Sequence, residues 1–447
     1  MGVELSRFNF IGHALRGDGP FRPAVTSDVN GRPASVGSTY LVQYPRESDA
    51  KFARRNELAF YASPLGQAAG RFSGYLSTRA PVRELPHPLY KAIADDTDGK
   101  GNALATFWLQ FMVEAKARGS MLLLIDMPPI EARSQAEQVA ARAAPIWTPI
   151  APELLTDFEI GDDGRFAFAE FSGAFTAPDG ERVPCTWHFD AGTWRATDRE
   201  KKVLAEGEHP LGQCPLLIFT EGGDFPHFGP FAAIADLSKR LFNLDSELDE
   251  ILRSQTFSLL TMQVPDESSA QQKLDAATVA GQTIGTNNLL VHTGSTPAFI
   301  APPDGPARVY LERIAALRAQ IDEISLNVAT PNARESGIAL QMRFATINAE
   351  LSRFAARMED LERNAWELSR KWLGMTTAPT VQWPRDFNLL DVLVELQILA
   401  EMRANGMPEP VIAEQMRRIA SQQFVGADQP TQDAIHAAID QLQQAAA

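Results

Sequence analysis

The sequence predicts an α+β fold rich in helix, and three features carry that reading. Large apolar residues at Leu340, Phe344, Ile347, Leu351, Phe354, Met358, Leu361, Ala365, Leu368 and Trp372 step alternately four and three positions apart. That is the seam of one unbroken helix. Two shorter seams, Ile234 to Ile251 and Tyr310 to Ile324, repeat the spacing on either side of a polar interval. Between residues 153 and 220, runs rich in Phe, Val, Trp and Thr are parted by turns such as Asp162-Asp163-Gly164 and Pro178-Asp179-Gly180. Those are strand and turn signatures.

The longest helix spans Ser336 to Gly374, uninterrupted by Pro, with Gly374 placed for a left-handed cap. About 37 residues rising roughly 1.5 Å each make a rod about 55 Å long. Ordinary helices average about 11–12 residues, so this one reads as architecture before chemistry.

With 45% hydrophobic and 22% charged residues, the 447-residue chain has the composition of a globular protein with several lobes. The longest compact apolar run, Met121 to Ile125, suits a buried strand and falls far short of a membrane span. Met1-Gly-Val-Glu-Leu lacks the layout of a secretion signal. Cys185 and Cys214 are too few for a disulfide framework. A net charge of −15 argues against gripping nucleic acid through its phosphates, which needs clustered Lys and Arg, but does not exclude weak contact with DNA passing nearby.

In chain order, residues 1–43 are rich in Gly, Pro and Ser and are expected to form an irregular arm. Helix is expected over 47–75 with a break near Pro64, then over 103–118 ending at Gly119, with a strand at Met121 to Asp126. Residues 165–176, 182–190, 193–197 and 215–220 are expected to form an antiparallel meander. The interval 262–306 between the two shorter rods holds a short helix near 269–280 and strands at 288–292 and 298–300. It therefore sits at the far end of a helical hairpin. A strand at 380–383 and helices at 387–405, 409–423 and 430–445 complete the chain.

Three motifs invite chemistry and decline it. The turn Asp96-Thr-Asp98-Gly99-Lys100 carries Lys where a calcium loop needs an oxygen ligand, and Phe107 where it needs Glu, so it reads as a helix-entry turn. Gly281-Gln-Thr-Ile-Gly285-Thr lacks the Lys of a phosphate-binding loop. Cys185, His188, His209 and Cys214 have the ligand types of a zinc site. A spacing of three along a strand sends Cys185 and His188 to opposite faces, however. We read the cysteines as small core residues, His188 as a solvated one, and expect no metal, no cofactor and no catalytic residues.

The order of parts and several strings resemble one family, the portal proteins of tailed bacteriophages. The strings are Tyr44-Pro-Arg-Glu-Ser, Leu89 through Asp96-Thr-Asp98-Gly99, Gly119-Ser-Met-Leu-Leu-Leu-Ile-Asp126-Met-Pro128, His209-Pro-Leu-Gly212-Gln-Cys-Pro215 and Glu335-Ser336-Gly337-Ile-Ala-Leu340. The resemblance covers about residues 40–425. It implies an α/β wing (1–228 and 339–386, with the long helix as spine), two stem helices (229–261 and 307–326) and a small α/β clip (262–306). It further implies a tunnel loop (327–338) and a helical crown (387–447). It implies no enzyme: a ring, dodecameric in that family, sits at one capsid vertex of the virion after assembly in the bacterial cytoplasm. The ring passes double-stranded DNA during packaging and ejection. Its partners would be the terminase motor, major capsid and scaffold proteins and a head–tail adaptor, with no membrane.

Within that frame the loop facing DNA is Asn327, Val328, Ala329, Thr330, Pro331, Asn332, Ala333, Arg334 and Glu335. Asp245, Glu247, Asp249 and Glu250, or Asp322 and Glu323, are the candidate acidic lumen, and the sequence leaves open which stem face points inward. Two rival readings stand beside it: a coiled-coil tail or scaffold protein pairing through Leu340–Trp372, and a zinc enzyme using the cysteine–histidine set.

Overall fold

The computed structural model describes residues 2–128, 137, 143–177, 180–256, 259–263, 289–292, 299–300, 305–325, 337–387, 392–423 and 429–446. The chain begins with helix α1 (Gly2–Arg16), the hairpin β1 (Val25–Ser27) and β2 (Pro33–Val36), then α2 (Asp49–Leu58) and α3 (Pro64–Leu76). Next come β3 (Val82–Glu84), α4 (Pro88–Asp95), α5 (Leu104–Arg118), β4 (Ser120–Asp126) and β5 (Ile146–Ile150). Strands β6 (Leu155–Ile160), β7 (Phe166–Thr176), β8 (Arg182–Phe189), β9 (Thr193–Thr197), β10 (Val203–Glu208) and β11 (Leu216–Thr220) lead to α6 (Ala232–Thr256). After β12 (Leu259–Gln263), β13 (Leu289–His292) and β14 (Phe299–Ile300) come α7 (Gly305–Ile324) and α8 (Gly337–Trp372). The chain closes with β15 (Thr380–Gln382), α9 (Val392–Ala404), α10 (Glu409–Gln423) and α11 (Gln429–Ala446).

Helix α1 corrects the expectation of an irregular arm. Phe8, Ile11, Ala14 and Leu15 are buried and repeat at helical spacing, packed against α3, α5 and α6. The Gly, Pro and Ser content of the wider window lies mostly beyond Arg16 and hid this short stripe. Helices α2 and α3 divide where Pro64 sits at a helix start, with Ser63 Oγ accepting from Gly66 N. Gly119 caps α5 at φ 83°, and a Cβ there would meet Gly229 N at 1.9 Å, so no other residue fits.

The strands form two sheets where one meander was expected. Strands β6–β10 make an antiparallel five-stranded sheet in the order β10-β9-β8-β7-β6. β11 leaves it and pairs antiparallel with β4, whose other edge pairs with β5. The physical reason lies in β4. Its residues are apolar on both faces, so each face needs cover. Met121, Leu123 and Ile125 enter the main core, while Leu122 and Leu124 meet Phe166, Phe171 and Phe189 from the meander. The acidic turn between α4 and α5 is a helix-entry turn: Asp98 accepts from Lys100 N at 3.0 Å and from Asn102 Nδ2 at 2.8 Å.

Asp126 ends β4 with its carboxylate largely buried and a single hydrogen bond from Met127 N, 2.8 Å. Burial pushes its pKa up to about 6. An unfolded chain then ionises first as pH rises from about 4 to 6, and stability falls across that window. Asp126→Asn should match the parent near pH 4 and exceed it by up to about 3 kcal/mol near pH 7, read from denaturant melts. An unchanged difference across that range would contradict the assignment.

The long helix α8 is the spine of the body. Ile347, Leu351, Phe354, Met358, Leu361, Ala365 and Leu368 are buried in the main core, so the expected seam faces inward from Ile347 to Leu368. The sheet β11-β4-β5, the strand β15 and α3 lie against it. Toward its C-terminal end Glu362, fully buried, accepts from Trp366 Nε1, Trp383 Nε1 and the Nε and Nη2 of Arg83. Four donors satisfy one carboxylate, which is what its burial demands. Trp147 stacks edge-on against Trp366 at 4.8 Å and donates to Ser369 Oγ at 3.0 Å. Gly374, at φ 62°, ends the helix where expected.

Candidate functional site

Helices α6 and α7 form the expected hairpin. They run antiparallel, with Tyr310 Oη donating to Glu247 Oε2 at 2.8 Å and Arg318 lying 3.9 Å from Asp245 farther along. The apolar seam of α7, Ala307, Ile314, Leu317 and Ile321, is buried against α6. The base of α6 is held by α1, α2 and α3. At the far end β12 pairs in parallel with β13 and antiparallel with β14. The strands expected near 288–292 and 298–300 are therefore present; β12 was unforeseen, and the helix expected at 269–280 lies outside the described residues.

The six candidate acids occupy different settings. Glu250 pairs with Arg253 at 3.0 Å and Lys51 at 3.6 Å. Glu247 is engaged with Tyr310, whose own pKa it raises. Asp245 is half-buried, and burial raises its pKa against the opposing pull of Arg318. With Asp322 and Arg318 it borders a cavity of about 290 Å³ between the start of α3 and the hairpin. Asp249 and Glu323 are exposed on the two rods. The nine loop residues Asn327 to Glu335 lie outside the described residues.

Sequence reasoning missed the arm that flanks the hairpin. Asn243 of α6 accepts from Val42 N at 2.9 Å and donates to Tyr40 O at 3.0 Å. Buried Arg55 binds Glu47 at 2.8 Å and Val42 O at 2.5 Å while lying 4.8 Å above the Tyr44 ring. Residues 40–47 are thereby fixed beside α6. The one signal was local: Arg55 by itself marks nothing, whereas Tyr44 and Glu47 preceding a capped helix mark a turn.

The cysteine–histidine set is spread out. Cys185 and Cys214 are buried, as expected of small core residues, and burial raises both thiol pKa values, that of Cys214 to about 11. Cys214 Sγ points at Phe189 O, 3.6 Å away. His188 is half-exposed beside Glu170, 3.1 Å, and His209 is buried against the Trp372 ring. Among the described residues no group of three His, Cys, Asp or Glu side chains could hold a metal ion, and no helix is long and apolar enough to cross a membrane.

No family model matches the chain, and no curated protein does. Solved structures do. The virion of a native gene transfer agent particle is matched over 90% of this chain and 96% of that one, at 12% identity and a TM-score of 0.40. The neck of the empty gene transfer agent particle, computed with C6 symmetry, gives 77% and 87%, 12% identity and 0.42. A portal protein of an HK97-family phage from Corynebacterium diphtheriae gives 73% and 96%, 9% identity and 0.37. The chain is similar to a phage portal protein. That likeness, like the other two, spans most of both chains.

Proposed function

We propose that this chain is the portal subunit of a tailed-phage particle, a passive ring at one capsid vertex through which double-stranded DNA is packaged and later released. The observation that carries the reading is the division of labour among its helices. The spine α8 buries its apolar seam in the chain's own core, while the α6–α7 hairpin, rooted on that body, ends in a small separate sheet. The same observation disfavours the coiled-coil reading, because the seam that would pair with another copy is already covered from Ile347 to Leu368.

On this reading residues 1–228 and 339–386 are the wing, 229–261 and 307–326 the stem, and 262–306 the clip that meets the terminase and then the tail adaptor. Residues 327–338 are the tunnel loop and 387–447 the crown within the capsid, beside the major capsid and scaffold proteins. The working form is a homo-oligomeric ring, dodecameric, assembled in the bacterial cytoplasm and carried in the virion. A head-to-tail contact that closes by rotation builds such a ring. The chain is no enzyme; a separate motor supplies force. An exposed acid such as Asp249 keeps phosphates from settling on the wall, since each fixed cation there would release counterions and hold the duplex.

Shortening residues 328–335 tests the conduit. Rings should still form, while packaging or retention of DNA falls in a particle assay. Loss of the rings themselves would overturn the loop's assignment, and unimpaired packaging would overturn its role.

A further inference from the structure

An open groove of about 700 Å³ runs between the fixed arm at Val42–Tyr44, α6 and α7. Its floor is apolar, from Leu244 and Leu317, with Tyr44 along one wall. Lys239, Arg240 and Arg313 also line it. The groove's two acids are already engaged: Asp236 by Arg7 at 2.9 Å, and Glu247 by Tyr310 at 2.8 Å. Arg240 and Arg313 are exposed and have no acidic partner among the described residues, and Lys239 only overlies the Phe10 and Tyr40 rings. In a chain of net charge −15 this is a basic patch left open around an apolar floor.

The same hairpin carries its complement on another side. Opposite the seam that α7 buries against α6, the outward face shows Val309, Glu312, Ala316, Ala319 and Glu323, all exposed. Among the described residues neither Glu312 nor Glu323 has a cationic partner, and Arg308 is the one cation on that face. Val309, 62% exposed, adds apolar surface to that face.

We propose that the groove of one copy receives the outward face of α7 from the next copy, with Arg240 and Arg313 meeting Glu312 and Glu323. The inference rests on the ring reading above and names its contact. Two different patches on one chain make a heterologous interface, and repeating it closes a ring by rotation. The apolar floor selects an amphipathic helix over a nucleic acid strand, because a duplex backbone offers nothing to Leu244 or Leu317. The arm is held in place by Asn243 and Arg55 before any partner arrives, so little ordering cost attends docking.

Charge reversal tests this in the full-length chain. R240E/R313E and E312R/E323R should each lower the assembled fraction about tenfold or more at moderate salt, through like-charge contact, with circular dichroism and melting unchanged. Combining all four reversals in one chain should restore assembly, and so should mixing the two double variants. Assembly of either double variant at the parental level overturns the proposal and leaves the ring reading standing. The proposal is overturned equally if the four-fold reversal folds yet stays unassembled. If R240E/R313E assembles normally but loses binding to a DNA duplex, the groove serves nucleic acid and the proposal fails. A parental chain that never assembles defeats the ring reading with it.

Discussion

Lys116→Met is expected to cost about 3–5 kcal/mol of folding stability, the loss found when one partner of a buried ion cluster is removed. Lys116, 1% exposed, holds Glu221 Oε1 at 2.5 Å and Glu350 Oε1 at 3.1 Å. Its ammonium lies 4.2 Å from the Phe72 ring centre and 4.6 Å from that of Phe231. The cluster joins α5, the residue following β11 and the spine α8 in one knot. Burial drives the Glu221 pKa up, against the pull of Lys116. At Glu350 the effect of burial is outweighed by Lys116 and its other neighbours, and the pKa is lowered. Methionine would leave Glu350 without its buried cation; among the described residues its remaining cationic partner is the largely exposed Arg353, 2.7 Å away. Adding Glu221→Gln and Glu350→Gln to the variant should recover part of the loss, since the stranded charge disappears with them. A denaturant midpoint within experimental scatter of the parent would show that the knot contributes nothing.

Leu351→Asp should prevent the chain from folding to a soluble product. Leu351 is fully buried on the spine seam, among the residues of the main core. A carboxylate there finds no donor, and the penalty of an unpaired buried charge approaches the whole stability of a typical domain, about 5–15 kcal/mol. Leu351→Met keeps volume and polarity and should cost less than about 1.5 kcal/mol. Expression, solubility and melting of the two variants side by side separate loss of packing from loss of a surface contact. A soluble, fully helical Leu351→Asp protein would mean that the seam faces a partner rather than the body.

Much of this was legible because it is periodic. The spine, both rods of the hairpin and the closing helices declare themselves in steps of three and four, and Gly119 and Gly374 mark two of their ends. What stayed hidden depends on residues far apart in the chain. The pairing of β11 with β4 cannot be read from either strand, since an apolar run says only that both faces need cover. Lys116 reaches Glu221 and Glu350 across 105 and 234 residues, so no window contains the knot. Helix α1 was lost for the opposite reason: its stripe is short, and the glycines and prolines after it dominated the composition. The acids on the rods could be picked out by residue type alone. Which of them are engaged inside the chain, as Glu247 and Glu250 are, depends on the side chains opposite them, Tyr310 and Lys51.

A portal ring requires that copies of the chain stand around an open axis. Imaging the purified full-length protein by negative-stain electron microscopy at micromolar concentration tests it directly. Annular particles of uniform diameter, each with a stain-filled centre wide enough for a DNA duplex, are the result expected. A field of separate compact monomers, or of assemblies without a hole, would contradict it.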